Sequence, residues 1–434
     1  MTLTASSSSD DQFHSCSHFQ LDPNWKPLAP HREDRGSVKV VWLQGTPYEM
    51  GYQHGQLLHD EIGSLPWWFI TSLKIFAKHL GLARFAKRRS FPDIIEESEG
   101  LAAATADIGL TVESCLALAL ADVFQAFLRD TLPMLFNYKV DFHPWLPTLD
   151  LGCSQFFVAR QATTNGQLYH GNNLDCPRHP IQYWLKHTTV FVRQPNQGIP
   201  HLSIAIPGAI WPNSGLNAAG ISLAFNTAHP GRLREFSLNG RSHVQIMAQI
   251  LKYASTYSEA RTLLAAQSHM ASGLIAVADG KSRQAGVFEI TAQHTAIREL
   301  DEIGVLYVTN HFVAPTMKNR DQTPPRPSSV TRYDRFQQLL EPHGLHSRYG
   351  KIDSEEMMRI LRDRINPYTL EESSLDTYDD NASIATNGAI RQVVFDPTNL
   401  CFWMATGEVP VSANPFMQFS LAELLHLPKP LVIH

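Results

Sequence analysis

A chain of 434 residues with 43% hydrophobic and 18% charged side chains has the composition of a globular protein with a sizeable core, which excludes fibrous and largely disordered classes. Its net charge of −5 offers no basic field to nucleic acid or to an anionic membrane, so the expected partner is a small molecule. No apolar run approaches the roughly 18 residues needed to cross a bilayer, and the amino terminus lacks a basic region followed by an apolar stretch, which makes cytoplasm the default location.

Residues 1–36 open with a Ser-rich run and continue through Pro23, Pro27 and Pro30 without apolar periodicity, the pattern of a flexible arm. Val38 to Leu43 reads as a strand. Thr46 as N-cap, Pro47 at the first helical position and Glu49 in the first turn then start a helix through Met50, His54, Leu57 and Ile62. His54 and His59 are five residues apart, diverge on a helix, and read as packing or solvated residues rather than ligands. Helical periodicity runs from Leu65 to Leu128, with Trp67, Trp68, Phe69, Leu73 and Phe76 on one aromatic face and a second helix from Val112. The loop from Asn137 to Leu149, with Pro144 and Pro147, leads into Gly152-Cys153.

After Cys153 the pattern changes to strands, expected at Thr188–Val192, His201–Ile206, Ile221–Phe225, Gly273–Ala278, Gly286–Ile290, Thr295–Glu299, Gly304–Val308, Arg391–Phe395 and Cys401–Ala405. Helices are expected at Gln245–Ala266 and Ser354–Ile365. Strands with segregated helices imply α+β layering. The five cysteines, Cys16, Cys115, Cys153, Cys176 and Cys401, are odd in number and show no CxxC spacing, which argues against a disulfide framework and against a zinc site.

Cys153 stands at the start of a hairpin, because Phe156-Phe157-Val158 and Leu168-Tyr169 flank Thr163-Thr164-Asn165-Gly166. A two-residue loop would set Asp175 opposite Phe156, facing away from Cys153. A three-residue loop, Thr164-Asn165-Gly166 with Gly166 left-handed, shifts the pairing by one and puts both side chains on one face. The chemistry below favours the second register.

Cys153-Ser154, the glycine turn and Gly171-Asn172-Asn173-Leu174-Asp175 resemble the start of the catalytic chain in N-terminal-nucleophile amide hydrolases, closest to the isopenicillin N acyltransferase-like group. Choloylglycine hydrolase and penicillin V acylase are cousins of that group. Ser214 to Gly220 with Asn226, Val308 to Phe312 with Asn310, and Ser328 to Arg335 are similar to three further blocks in the same order. The helix from Gly45 to Ile62 resembles the group's opening segment. Asn172 departs from the pattern, standing where choloylglycine hydrolase-like proteins often carry arginine, which weakens a bile-salt reading.

The resemblance implies an αββα sandwich of two antiparallel sheets between helical layers, formed by residues 37–434. It also implies cleavage after Gly152, with 37–152 retained as a small subunit associated with 153–434. No cofactor and no metal are expected, and homo-oligomerisation is left open. A thiol beside a peptide carbonyl can attack it, and Gly152 lacks the side chain that would resist strain. The freed α-amine, with an unperturbed pKa of ~8, can then serve as base for its own thiol. Asp175 would hold amine or thiol, Asn310 and Asn226 would stabilise the oxyanion with a backbone N–H helping, and Arg332 or Arg335 would support Asp175 or a substrate carboxylate. Trp67, Trp68, Phe136, Tyr138 and Trp145 are candidates for an apolar substrate wall, with core packing the equal alternative. Hydrolysis and acyl transfer are not separated by these residues, and an uncleaved, silent ligand-binding or scaffold protein is the rival from a different class.

Overall fold

Side chains alternate along the strands, and in a computed structural model the two faces of that alternation enter different layers. The structure describes residues 19–66, 68, 70–71, 74–75, 82–135, 152–175, 187–374, 383–385 and 388–427. A nine-stranded sheet runs β1 (His31–Arg35), β2 (Val38–Gly45), β5 (Thr189–Pro195), β6 (His201–Ala205), β7 (Ser214–Asn217), β8 (Ile221–Thr227), β9 (Gly273–Asp279), β10 (Gln284–Ile290) and β11 (Thr295–Glu299). A six-stranded sheet runs β12 (Val305–Val308), β3 (Gly152–Arg160), β4 (Gly166–Asp175), β13 (Ala389–Asp396), β14 (Cys401–Thr406) and β15 (Met417–Ser420).

In β2, Val38, Val40 and Trp42 meet Val393, Phe395 and Phe402 of the smaller sheet. Val41 and Leu43 turn the other way and pack with Ile246, Met247 and Leu263 of the helices His243–Tyr253 and Tyr257–Ala265. In β3, Phe157 and Ala159 face Leu274 and Ala276 of the larger sheet, whereas Phe156 and Val158 pack on the helices Pro327–Leu340 and Ser354–Leu361. Helix, sheet, sheet and helix therefore stack as the expected αββα sandwich, and each fully buried phenylalanine contributes about 2–3 kcal/mol.

Thr46 and Glu49 form a reciprocal capping box on the helix Pro47–Leu57. That helix crosses Pro92–Ala104 closely: a Cβ on Gly51 would lie 2.0 Å from Glu97 O, and one on Gly100 2.0 Å from Tyr48 O. Gly100→Ala is therefore expected to push the helices apart and cost about 3 kcal/mol, read as a lower urea midpoint. An unchanged midpoint would contradict the close approach.

Several expectations need correction. Residues 19–36 are docked rather than a loose arm: Trp25 Nε1 donates to Leu425 O at 2.7 Å, Leu28 N donates to Gln194 Oε1 at 2.7 Å, and β1 pairs with β2. β1 reads HREDR, an edge strand with no apolar face, so it carried no hydropathy signal. The larger sheet is not wholly antiparallel, since β2 pairs in parallel with β5. The expected helix Gln245–Ala266 is two helices, broken where Thr256 caps Tyr257–Ala265. That expected from Val112 to Leu128 breaks into Val112–Leu118 and Ala121–Ala126, followed by a π-turn at Phe127–Thr131.

The hairpin loop is also wider than expected. β3 ends at Arg160 and β4 begins at Gly166, which is left-handed at φ 69°, and Gly152 pairs with Asp175. The loop is held by tertiary contacts: Ala162 is fully buried, and Thr164 N donates to Ile352 O at 3.0 Å. Among the described residues no helix is long and apolar enough to cross a membrane.

Candidate active site

Five ends of secondary structure converge at one end of the sandwich: the starts of β3 and β13, the ends of β4 and β8, and the turn after β12. Cys153 is second in β3, is 2% exposed, and turns to the inter-sheet face opposite Leu174. Its backbone is held at both ends. Cys153 N donates to Asn310 Oδ1 at 3.0 Å, and Cys153 O accepts from Arg332 Nη1 at 2.5 Å and Asn226 Nδ2 at 3.2 Å. Arg332 also donates to Ser154 Oγ at 2.8 Å and to Asn310 Oδ1 at 2.8 Å, which ties the helix Pro327–Leu340 to the strand.

Burial and then the Asp175 charge push the Cys153 thiol up to about 12, against the opposing pull of Arg332, a Thr227 backbone hydrogen bond and Arg391. The thiol is therefore neutral at pH 7. Asp175 pairs with Gly152, so alternation sends it to Gly152's face rather than that of Cys153. Its Oδ2 would lie 3.2 Å from a Cβ on Gly152. Gly152 has ordinary strand backbone, not the strained turn expected, and its missing side chain makes room for the Asp175 carboxylate.

Asn310 directs its oxygen at Cys153 and its Nδ2 at Thr227 O, 2.9 Å away. Asn226 Nδ2 also donates to Thr309 O at 2.8 Å, while its oxygen accepts from Gln155 Nε2 at 2.6 Å. Behind it, His170 Nε2 lies 2.9 Å from Gln155 Oε1 and His170 Nδ1 lies 3.1 Å from Ser222 Oγ. This chain between the sheets was not anticipated. Polar residues at three inward positions, Gln155, His170 and Ser222, were the available signal.

Arg335 is elsewhere, in a two-bond pair with Asp363 at 2.8 and 2.7 Å. Trp68 is 53% exposed, and Trp67, Phe136, Tyr138, Trp145 and Cys176 lie outside the described residues. A concavity bounded by Glu97, Arg193, His201 and Lys252 includes no residue of the Cys153 group. Among the described residues no group of His, Cys, Asp and Glu is arranged to hold a metal ion.

Residues 162–409, more than half of the chain, match the family model described as acyl-coenzyme A:6-aminopenicillanic acid acyl-transferase. The match begins nine residues after Cys153 and takes in Asp175, Asn226, Asn310 and Arg332. An uncharacterized protein of Archaeoglobus fulgidus is 24% identical over 407 residues, covering 86% of this chain, and the chain spans 64% of that relative's length. Among solved structures, the chain is similar to a Caenorhabditis elegans N-acylethanolamine-hydrolyzing acid amidase ortholog at 17% identity and TM-score 0.40, over 57% of this chain and 93% of that one. It is also similar to a penicillin V acylase from Agrobacterium tumefaciens at 12% identity and TM-score 0.37, over 62% and 87% of the two chains.

Proposed function

The chain belongs to the acyl-coenzyme A:6-aminopenicillanic acid acyl-transferase family, and from that premise we propose that it cleaves linear amide C–N bonds through an acyl-cysteine intermediate after freeing Cys153 by self-cleavage. The observation that carries the reading is the grip on one residue. The Cys153 nitrogen, carbonyl and thiol each have a polar partner, and Asp175 lies against the preceding residue.

In the first phase sulfur adds to the Gly152 carbonyl carbon as the thiol proton passes towards the Cys153 nitrogen. The C–N bond breaks as the Cys153 nitrogen takes up a proton, leaving a thioester. Water hydrolyses the thioester to a Gly152 carboxylate and returns the free thiol. The α-amine so released stays where Asn310 Oδ1 accepts from it, and its unperturbed pKa of ~8 suits a base near neutral pH. In the second phase that amine takes the thiol proton, the thiolate attacks the substrate carbonyl, and the amine substituent leaves with the proton. Asn226 Nδ2, Asn310 Nδ2 and the Thr227 N–H are the neighbouring donors for the oxyanion, each worth on the order of 3 kcal/mol once its present partner is exchanged. Water or an amine completes the turnover.

The fragments are expected to stay together, because β2 from the first pairs with β5 from the second along Lys39–Gly45. Intact mass spectrometry of freshly expressed protein beside Cys153→Ala tests the reading. Fragments 1–152 and 153–434 in the first, and one chain without amide turnover in the second, are the expected results. A single full-length band in both, with unchanged ligand binding, would favour a silent binding protein. Cleavage at another bond would overturn the assignment of Cys153.

A further inference from the structure

Arg391 is a charged side chain at this end of the sandwich to which the mechanism above gives no task. It stands opposite Leu174 in β4, and Leu174 stands opposite Cys153 in β3. Residues paired across antiparallel strands share a face, so the three form one row on the inter-sheet side. With strands ~4.8 Å apart, Arg391 is two strand spacings from the nucleophile.

The guanidinium is 2% exposed. Among the described residues it makes one hydrogen bond, from Nη2 to Asn213 Oδ1 beside the larger sheet at 3.1 Å, and its Nε is buried without a hydrogen-bond partner. Two of the other buried arginines have a carboxylate partner, Arg193 in Glu97 and Arg335 in Asp363, and Arg332 is held by four oxygens where Arg391 has one. Burial lowers Arg391 to about 10 against the opposing effect of the Cys153 thiol, and among the described residues no carboxylate acts on it. A buried cation without counter-charge is costly, and the missing partner is an anion presented beside the thiol. Asn172, on the same face of β4, is neutral, so Arg391 on the neighbouring strand supplies the positive charge in this row.

We propose that Arg391 binds the carboxylate of the substrate, so that the amides cleaved are N-acyl amino acids rather than N-acyl amines. Asn213 orients the guanidinium, and Nε–H is one of the parallel donors that a carboxylate takes from arginine. The inference rests on the proposed amide cleavage at Cys153 and names its substrate class.

N-phenylacetylglycine and its uncharged N-methylamide, assayed side by side on the purified protein, test the assignment. The acid is expected to exceed the amide in kcat/KM by about 10- to 100-fold, the range for one charge-assisted hydrogen-bonded pair. Arg391→Met is expected to erase that preference, read as the acid-to-amide ratio of kcat/KM within the variant, and Arg391→Lys to restore part of it. Its urea midpoint should equal or exceed that of the unaltered protein, because an unpaired buried cation replaced by an apolar side chain removes a cost. Equal rates on both compounds, or an equal loss on both in Arg391→Met, would overturn the proposal, as would a lower midpoint with the preference kept. If the chain neither cleaves nor turns over amides, the Cys153 reading falls separately. Calorimetric titration of the same two compounds into that protein and into Arg391→Met still decides the carboxylate site.

Discussion

Arg332→Met is expected to leave the chain as a single full-length band and to lower amide turnover by about a thousandfold. The guanidinium is 1% exposed and donates to four oxygens: Cys153 O, Ser154 Oγ, Asn310 Oδ1 and Ser328 O. Two of these belong to the backbone of Cys153 and to the asparagine that holds its nitrogen. Methionine fills similar volume but supplies no donor, so buried acceptors lose their partner at about 1–3 kcal/mol each. The Cys153 carbonyl and the Asn310 amide are then free to rotate. Loss of a single preorganised donor costs a factor of about 10² to 10³, and Arg332 positions two groups at once. Arg335→Met is the matched control. It strands Asp363, whose side chain is 12% exposed, and destabilises the helix Pro327–Leu340, yet it touches none of the Cys153 group. Mass spectrometry and kcat/KM on the folded fraction of both variants separate them. Normal cleavage in Arg332→Met, or its loss in Arg335→Met, would sink this division of roles.

The two arginines show where sequence reading stops. Both stand on one helix three residues apart, and their block was legible, but which one faces the strand depends on how the helix is rotated on the smaller sheet. Strands with one apolar face were legible in the same way: Ile221–Thr227 and Gly273–Asp279 lie within two residues of expectation. β1, β7 and β15 were not, because an all-polar edge strand and four-residue strands have no usable period. The β3–β4 register was hidden for a different reason. Local turn chemistry favoured a short loop, while the burial of Ala162 and the bond from Thr164 to Ile352 are long-range and select a wider one. Arg391 was read as a strand residue, since nothing in its neighbours announces that it lacks a counter-charge.

Acidification from pH 6.5 to 5 is expected to destabilise the protein by at least about 2 kcal/mol. Burial holds six histidines neutral: His54, His170, His201 and His269 fall to about 3, and His243 and His311 to about 4. In the unfolded chain each protonates near 6.5, so their contribution is fully present above that pH and is lost as pH falls below it. Four carboxyls act in the opposite sense. Burial raises Asp321 to about 7 and also raises Glu97, Asp122 and Asp396, so the stability of their protonated forms is gained as pH falls. Even if all four are fully protonated in the fold, the unfolded chain holds about two more protons near pH 5, a slope there of about 2.7 kcal/mol per pH unit. That is a large part of an ordinary total stability of about 5–15 kcal/mol. Urea unfolding at pH 7.5, 6.5, 5.5 and 5.0 measures it, and a midpoint flat or rising towards pH 5 would refute the balance. His243→Phe tests one contribution, because among the described residues neither ring nitrogen of His243 has a hydrogen-bond partner, and Asp122 Oδ2 lies 3.9 Å from Nδ1. Its stability should match the parent near pH 7.5 and exceed it by about 1.4 kcal/mol for each pH unit below 6.5. The direction agrees with the proposed chemistry, since an α-amine base with an unperturbed pKa of ~8 is also lost as its proton is taken up. The fold and the proposed nucleophile therefore require the same neutral range of pH.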